Sequence, residues 1–264
     1  VPVQGQFFQK SASDTGFYSY QIEQSMVQNH GTAAYLSRTL GTATSRDTFT
    51  ISLWVKRHTE LDSSSKTTIF TGGTSGSQYS FTGFGNDNAI QMDLQTTMGS
   101  TGSTDQQFED FSAWYHLLYR FDTSQSTQDD RIRVYVNGTQ LTGFNLGNVS
   151  QDEDVPHWNA AEAFYIGQKN GIGHASDGTN LYYAEFLFFD GQSYAPTEVA
   201  QSKNGIWIPK NPSGLSFGNN GFHLRFAEGA IGTDSSGNGN DFSATNIDND
   251  NITLDSPTNG AGST

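Results

Sequence analysis

The sequence predicts an all-β fold, and three observations carry that prediction. Charged residues make up only 15% of the 264-residue chain, against about 25% in an average domain, while aromatics reach 13% and Gly 29 residues. Apolar and polar residues alternate along successive stretches from 49 to 226, the pattern of strands rather than helices. Clusters of Gly, Asn, Asp and Ser break that alternation at short intervals, as turns do.

Each element follows in order. Residues 1–32 hold many Gln and Ser with scattered aromatics and no sustained period, which predicts an extended arm. In Phe49 to Arg57 (FTISLWVKR), Phe49, Ile51, Leu53 and Val55 point one way and Thr50, Ser52 and Lys56 the other, a strand with one wet face. Thr71 to Ser77 (TGGTSGS) and Asn86-Asp87-Asn88 read as loops. Ile90, Met92 and Leu94 alternate with Gln91, Asp93 and Gln95, again with one wet face. Trp114 to Phe121 and Leu181 to Phe189 are apolar or aromatic on both faces, as central strands covered on each side would be. Asp122 to Asp130 reads as a loop, followed by a strand carrying Ile132, Val134 and Val136. Asn137-Gly138 then signals a hairpin into Thr139 to Phe144, because both central residues of a type I′ turn need φ > 0. Gly171 to Asn180 reads as a loop. Pro196 to Lys203 is the one helical stretch, with Pro and Thr opening it, Glu198 in its first turn and Lys203 near its end. Asn246 to Thr264, rich in Asn, Asp, Gly and Ser, reads as a trailing tail.

Composition also narrows the partners. Thirteen Lys plus Arg against 27 Asp plus Glu leave a net charge of −14, which repels nucleic-acid phosphates. The chain has no Cys, which excludes disulfides, thiolate metal sites and Cys nucleophiles. The longest aromatic-apolar cluster, Phe186 to Phe189, is far shorter than a membrane span, so no membrane insertion is expected. The opening VPVQGQFFQK has neither an initiator Met nor the basic-then-apolar order of a signal peptide.

Longer motifs match a known family. AAYLSRT (Ala33 to Thr39), FTISLWVKR, SAWYHLLYRFDTSQSTQDDRIRVYVNGTQL (Ser112 to Leu141) and YYAEFLFFDGQSYAPTE (Tyr182 to Glu198) occur in sequence. NGIWIPK (Asn204 to Lys210), NNGFHLRFA (Asn219 to Ala227), GTDSSGNGNDFSATN (Gly232 to Asn246) and DSPTN (Asp255 to Asn259) follow. This ordered set resembles the concanavalin A-like, laminin G-like jelly-roll domains, and more narrowly their version in structural and fibre proteins of tailed bacteriophages. The resemblance implies a two-sheet antiparallel jelly-roll sandwich over residues 33–245, between an N-terminal arm (1–32) and a C-terminal tail (246–264). In many laminin G-like chains a segment like FHLRFAEG…DSSGNGNDF opens the domain, whereas here it comes last. The order therefore reads as circularly permuted, with Phe222 to Phe226 and Phe242 pairing back near Ala33 to Leu36.

The resemblance sets the functional expectations. The first is a non-enzymatic virion structural protein, a fibre, appendage or capsid decoration on the particle surface. It would form a homo-oligomer and dock onto other virion proteins through Phe7, Phe8, Phe17, Tyr18, Tyr20 and Ile22 of the arm, too few for a core but enough for an interface. The alternative is a lectin-like module binding host surface polysaccharide, and the third reading a glycan-cleaving enzyme.

Glucanases of this fold pair two carboxylates on one strand about 5 to 5.5 Å apart when they retain configuration, which calls for a Glu-x-Asp-x-Glu pattern. The sequence lacks it: Glu109-Asp110 and Glu153-Asp154 are adjacent and would face opposite ways, and Glu185 stands alone in its strand. Catalytic residues are therefore not assigned. The six His are scattered without metal-ligand spacing, and His116 and His223 read as packing or surface positions. For glycan stacking the candidates are Trp158, Tyr194 and Trp207, which lie beside Gly- and Asn-rich loops, although packing at the sandwich rim explains them too. Trp54 and Trp114 lie inside strands and read as core. No cofactor is expected; Ca²⁺ is the one metal weighed, at Asp234, Asn238, Asn240 and Asp241, and a tight Asx-type turn is the favoured explanation of those residues.

Overall fold

The computed structural model describes residues 16–29, 34–58, 67–94, 100–142, 149–167 and 180–259. The loop predicted at Gly171 to Asn180 lies almost wholly outside them, as do Phe7, Phe8, His30 and His174.

Two antiparallel sheets face each other and make an all-β jelly-roll sandwich. Among the described residues seventeen strands run in chain order: β1 (Ser25–Gln28), β2 (Tyr35–Thr39), β3 (Thr48–Arg57), β4 (Thr67–Ser75), β5 (Gln78–Phe84), β6 (Ala89–Leu94), β7 (Ser100–Gln107), β8 (Trp114–Asp122) and β9 (Ile132–Val136). They continue with β10 (Thr139–Gln140), β11 (Ala163–Gly167), β12 (Leu181–Asp190), β13 (Ala200–Lys203), β14 (Ile206–Pro209), β15 (Phe222–Leu224), β16 (Ser243–Thr245) and β17 (Ile252–Thr253). A single-turn helix, α1, spans Pro196–Val199. The eight-stranded sheet runs β10-β9-β8-β3-β12-β1-β17, with β15 also on β12, and the seven-stranded sheet runs β16-β2-β11-β4-β5-β6-β7. The β13–β14 hairpin stands apart from both.

Between the sheets the alternation predicted from sequence becomes an interlocking aromatic core. Phe49, Ile51, Leu53 and Val55 of β3 meet Leu117, Tyr119 and Phe121 of β8 on one side, and Phe70, Phe84, Ile90, Met92 and Phe164 of the other sheet across the gap. Rings pack edge-on or stacked, as with Phe49 on Phe121 at 4.4 Å and Phe188 on Phe222 at 5.4 Å between centroids.

Three local expectations change. The polar face of β3 is not wet, since Thr50 and Ser52 are buried. A third layer covers it: Leu118, Leu187 and Phe189 pack under Val199, Tyr194, Leu215 and Phe217, while Trp54 and Ala184, with Trp114 of β8 beside them, pack under Ile22, Tyr20, Ala200 and Trp207. Thr71 to Ser75 is strand, not loop. Glycine is needed in it because backbones pass too closely for a side chain, and a Cβ on Gly72 would lie 2.4 Å from the His157 carbonyl oxygen. The helix stops at Val199, because Ala200 turns extended (φ −152°, ψ 169°) and pairs with Pro209.

The C-terminal segments return to the sandwich. β16 pairs with β2 (Ser243 with Ser37, Thr245 with Tyr35), as expected for the region of Phe242. β15 joins the opposite sheet instead, with Phe222 beside Phe188 of β12. The sheet also draws in chain beyond the expected bounds of 33 and 245, since β1 and β17 pair with each other and β1 with β12. Met26 explains why β1 joins, since it is fully buried in the main core.

Candidate functional site

Trp158 is fully buried, so neither ring face is open to a sugar. It plugs the sandwich between Phe70 and Phe121, and its Nε1 donates to the Ser80 carbonyl oxygen at 3.0 Å. The loop-side position that made it a glycan candidate is a rim plug. Tyr194 is half-buried edge-on against Phe189, and its hydroxyl accepts the Ser216 N–H at 3.0 Å. Trp207 is half-buried against the outer layer, and its ring is crossed by the backbone of Gly138. The three candidates do not converge on a common surface feature; each closes a different part of the fold. Trp54 is buried as expected, whereas Trp114 is half-buried on the outer face, its Nε1 donating to Asp255 Oδ1 at 3.1 Å.

Trp207 Nε1 donates to His116 Nδ1 at 3.0 Å. Indole nitrogen can only donate, so Nδ1 must accept and the imidazole hydrogen sits on Nε2, 2.9 Å from Ser52 Oγ. The ring therefore donates to the serine and cannot take its proton. Complete burial pushes the His116 pKa down to about 3, so the ring stays neutral near neutral pH. Ser52 and His116 form a buried polar latch, not a nucleophile and base.

The Asp234 loop is built as a turn. Asp234 Oδ1 accepts the backbone N–H groups of His223 and Ser236, both at 2.8 Å, and Oδ2 accepts Ser236 Oγ and the Asn240 N–H. Asp241 Oδ1 accepts the Asp234 N–H, and Asn238 Nδ2 donates to the carbonyls of Gly218 and Gly221. These side chains organise backbone donors and acceptors. A shallow groove of about 430 Å³ runs past this loop between Gly229, Thr233, Asp241 and Asn249, and Asn249 Oδ1 is engaged there by the Gly229 N–H. Asp190 plays a similar part on a neighbouring stretch of the chain: fully buried, it accepts N–H groups from Thr44, Ser45, Asn159 and Asn220 and ties four segments together.

Glu185 is the charged residue that sequence reasoning left without partners. Plain alternation along β12 would turn it into the core. A bulge prevents this: three steps from Ala184 to Leu187 face two steps from Trp54 to Ser52, and Glu185 takes a left-handed φ of 50°. Phe186 and Phe188 thereby face inward, and the carboxylate is directed to the outer side. There Oε1 lies 2.7 Å from His223 Nε2 and accepts the Tyr20 hydroxyl at 2.5 Å. Burial, reinforced by the Glu185 charge, holds the Tyr20 phenol protonated well above its ordinary range. His223, read from sequence as packing or surface, is a buried partner of this carboxylate. Tyr20 and His223 lie 165 and 38 residues from Glu185, so no local motif could reveal the cluster.

Comparison with known proteins agrees with this architecture. No curated protein matches the chain. Among solved structures, a candidate carbohydrate-binding protein from Bacteroides ovatus superposes with a TM-score of 0.55 at 17% identity, over 89% of this chain and 60% of that one. A heptameric SAP-like pentraxin from Limulus polyphemus superposes at 0.47 with 17% identity, over 67% of this chain and 80% of that one. The family model of the concanavalin A-like lectin/glucanases superfamily matches residues 30–200, most of both sheets, and the chain belongs to that superfamily.

Proposed function

We propose that the protein is a non-enzymatic structural component of a tailed-phage virion, presenting this sandwich outward from the particle. The observation that supports it is that the polar and aromatic side chains suited to chemistry are engaged in holding the fold: Trp158, His116 with Ser52, Asp190 and Asp234 are each buried and hydrogen-bonded within it. The ordered motifs that resemble those of phage fibre and structural proteins supply the context, and the net charge of −14 suits a surface that must not adhere to released DNA. Tyr20 and Ile22, expected to dock the arm onto other virion proteins, pack instead on this chain's own Trp54 and Ala184, so in this reading attachment falls to the rest of the arm, together with assembly as a homo-oligomer.

Antibody labelling of purified particles, viewed by electron microscopy, tests this directly: regular labelling on the particle exterior is expected, and its absence from intact particles refutes the role. Deleting residues 1–15 leaves β1 in place. If the arm docks, that deletion abolishes incorporation while the isolated chain keeps its melting temperature.

A second reading, a module that binds host surface polysaccharide, is favoured by superfamily membership and by the cavity beside Glu185, where Arg225 and Glu23 have no ion-pair partner among the described residues. Pull-down of the full chain by host envelope polysaccharide tests it.

A further inference from the structure

We propose that the cavity at the β12 bulge is a subsite for a neutral saccharide, which it holds by a pair of neighbouring hydroxyls between Glu185 and Arg225. The proposal rests on the glycan-binding reading and gives it a location and a ligand class.

The cavity has a structural origin. β1 covers the Leu181 to Tyr183 edge of β12 and β15 covers the Phe186 to Phe188 edge, so Ala184 and Glu185 fall in the gap between two neighbours. The gap is a half-open cavity of about 100 Å³ lined by Ile22, Glu23, Gln24, Glu185, Arg225 and Ala227. A bulge with a non-glycine residue in the left-handed region re-aims one side chain, and here it aims a carboxylate that is only 3% exposed toward this gap.

The groups at the cavity are held but not all satisfied. Tyr20 and His223 both engage Glu185 Oε1. Because the Tyr20 phenol stays protonated it acts as the donor, which fixes the carboxylate as an acceptor. Oε2 has no partner among the described residues, and Arg225 and Glu23 form no ion pair among them. Gln24 Oε1 accepts the Glu228 N–H, which leaves the Gln24 amide hydrogens available.

Charge then selects the ligand. A cation would meet the Arg225 guanidinium beside the carboxylates, and an anion would meet both Glu185 and Glu23. A neutral ligand that donates to Glu185 and accepts from Arg225 or Gln24 fits both, and vicinal hydroxyls do both at once. The volume admits one edge of a sugar ring, with Ile22 and Ala227 as the apolar wall and the rest of the glycan outside.

Titration of the full chain with D-glucose, D-galactose and D-mannose, with N-acetylneuraminic acid as the charged control, followed by NMR shift changes, tests the proposal. At least one hexose is expected to bind in the millimolar range, more tightly than the acid. Arg225→Ala should weaken that binding about tenfold with an unchanged melting temperature, because Arg225 is exposed. Glu185→Gln should weaken it as well. Binding that survives both substitutions overturns the subsite, as does a chain that binds host polysaccharide but none of the hexoses. In both cases the glycan-binding reading stands. A chain that binds neither polysaccharide nor hexose overturns both.

Discussion

At His116, burial and a donor-only neighbour decide a protonation state. The folded ring titrates at about 3 against 6.5 for a free imidazole, so as pH falls below 6.5 the unfolded chain takes up a proton that the folded one refuses. Stability from this group is therefore intact above 6.5 and lost progressively down to pH 3. At pH 5 the loss is about 2 kcal/mol, from 1.36 kcal/mol per unit. Urea midpoints at pH 7 and 5 should show that a His116→Gln chain, although weaker at pH 7, loses about 2 kcal/mol less on acidification than the parent. Trp158→Ala should cost about 4 kcal/mol in the same measurement, the price of a large core cavity. Aromatics beside loops cannot be sorted from sequence into rim plugs and ligand platforms, because both use a flat ring with one polar tip. Glu185 posed the opposite difficulty: alone in its strand it looked inert, and only folding brings Tyr20 and His223 to it.

Among the elements, those with local causes were legible. β3, β6 and β9 follow from alternation, β8 and β12 from runs that are apolar on both faces, and the hairpin at Asn137-Gly138 forms with both residues at positive φ, 48° and 78°. Gly138 is doubly constrained, since a Cβ there would lie 2.5 Å from the Trp207 ring. Gly138→Ala should lower stability by about 2 kcal/mol, read as a lower melting temperature. Elements with non-local causes were not legible. β4 carries glycines that normally break strands, and they are tolerated because His157 and Tyr79 press against them. The Pro196 to Lys203 stretch has a sound helix start, yet its second half is claimed by pairing with β14. Propensity yields wherever a partner strand supplies hydrogen bonds.

For the whole molecule, the main surprise is the third layer. Alternation shows which side of a strand is apolar, but not that a polar side will be roofed by segments 17–24 and 194–217. Ile22 and Tyr20 are the near edge of that roof over Trp54 and Ala184. Deleting residues 1–24 should expose that patch, with increased binding of a hydrophobic dye and a lower urea midpoint; unchanged dye binding would contradict the layering. The two ends of the described chain also meet here. Ser25 pairs with Thr253, and Ile22 exchanges hydrogen bonds with Thr258 through its N–H and carbonyl at 2.9 and 2.8 Å. Because β1 and β17 are antiparallel, the segments leading away from Ser25 and from Thr253 leave the sheet at the same end. A pull on both breaks their bonds one after another rather than all together. Tension along the chain therefore opens a seam at the margin of the sheet and leaves the aromatic interior standing.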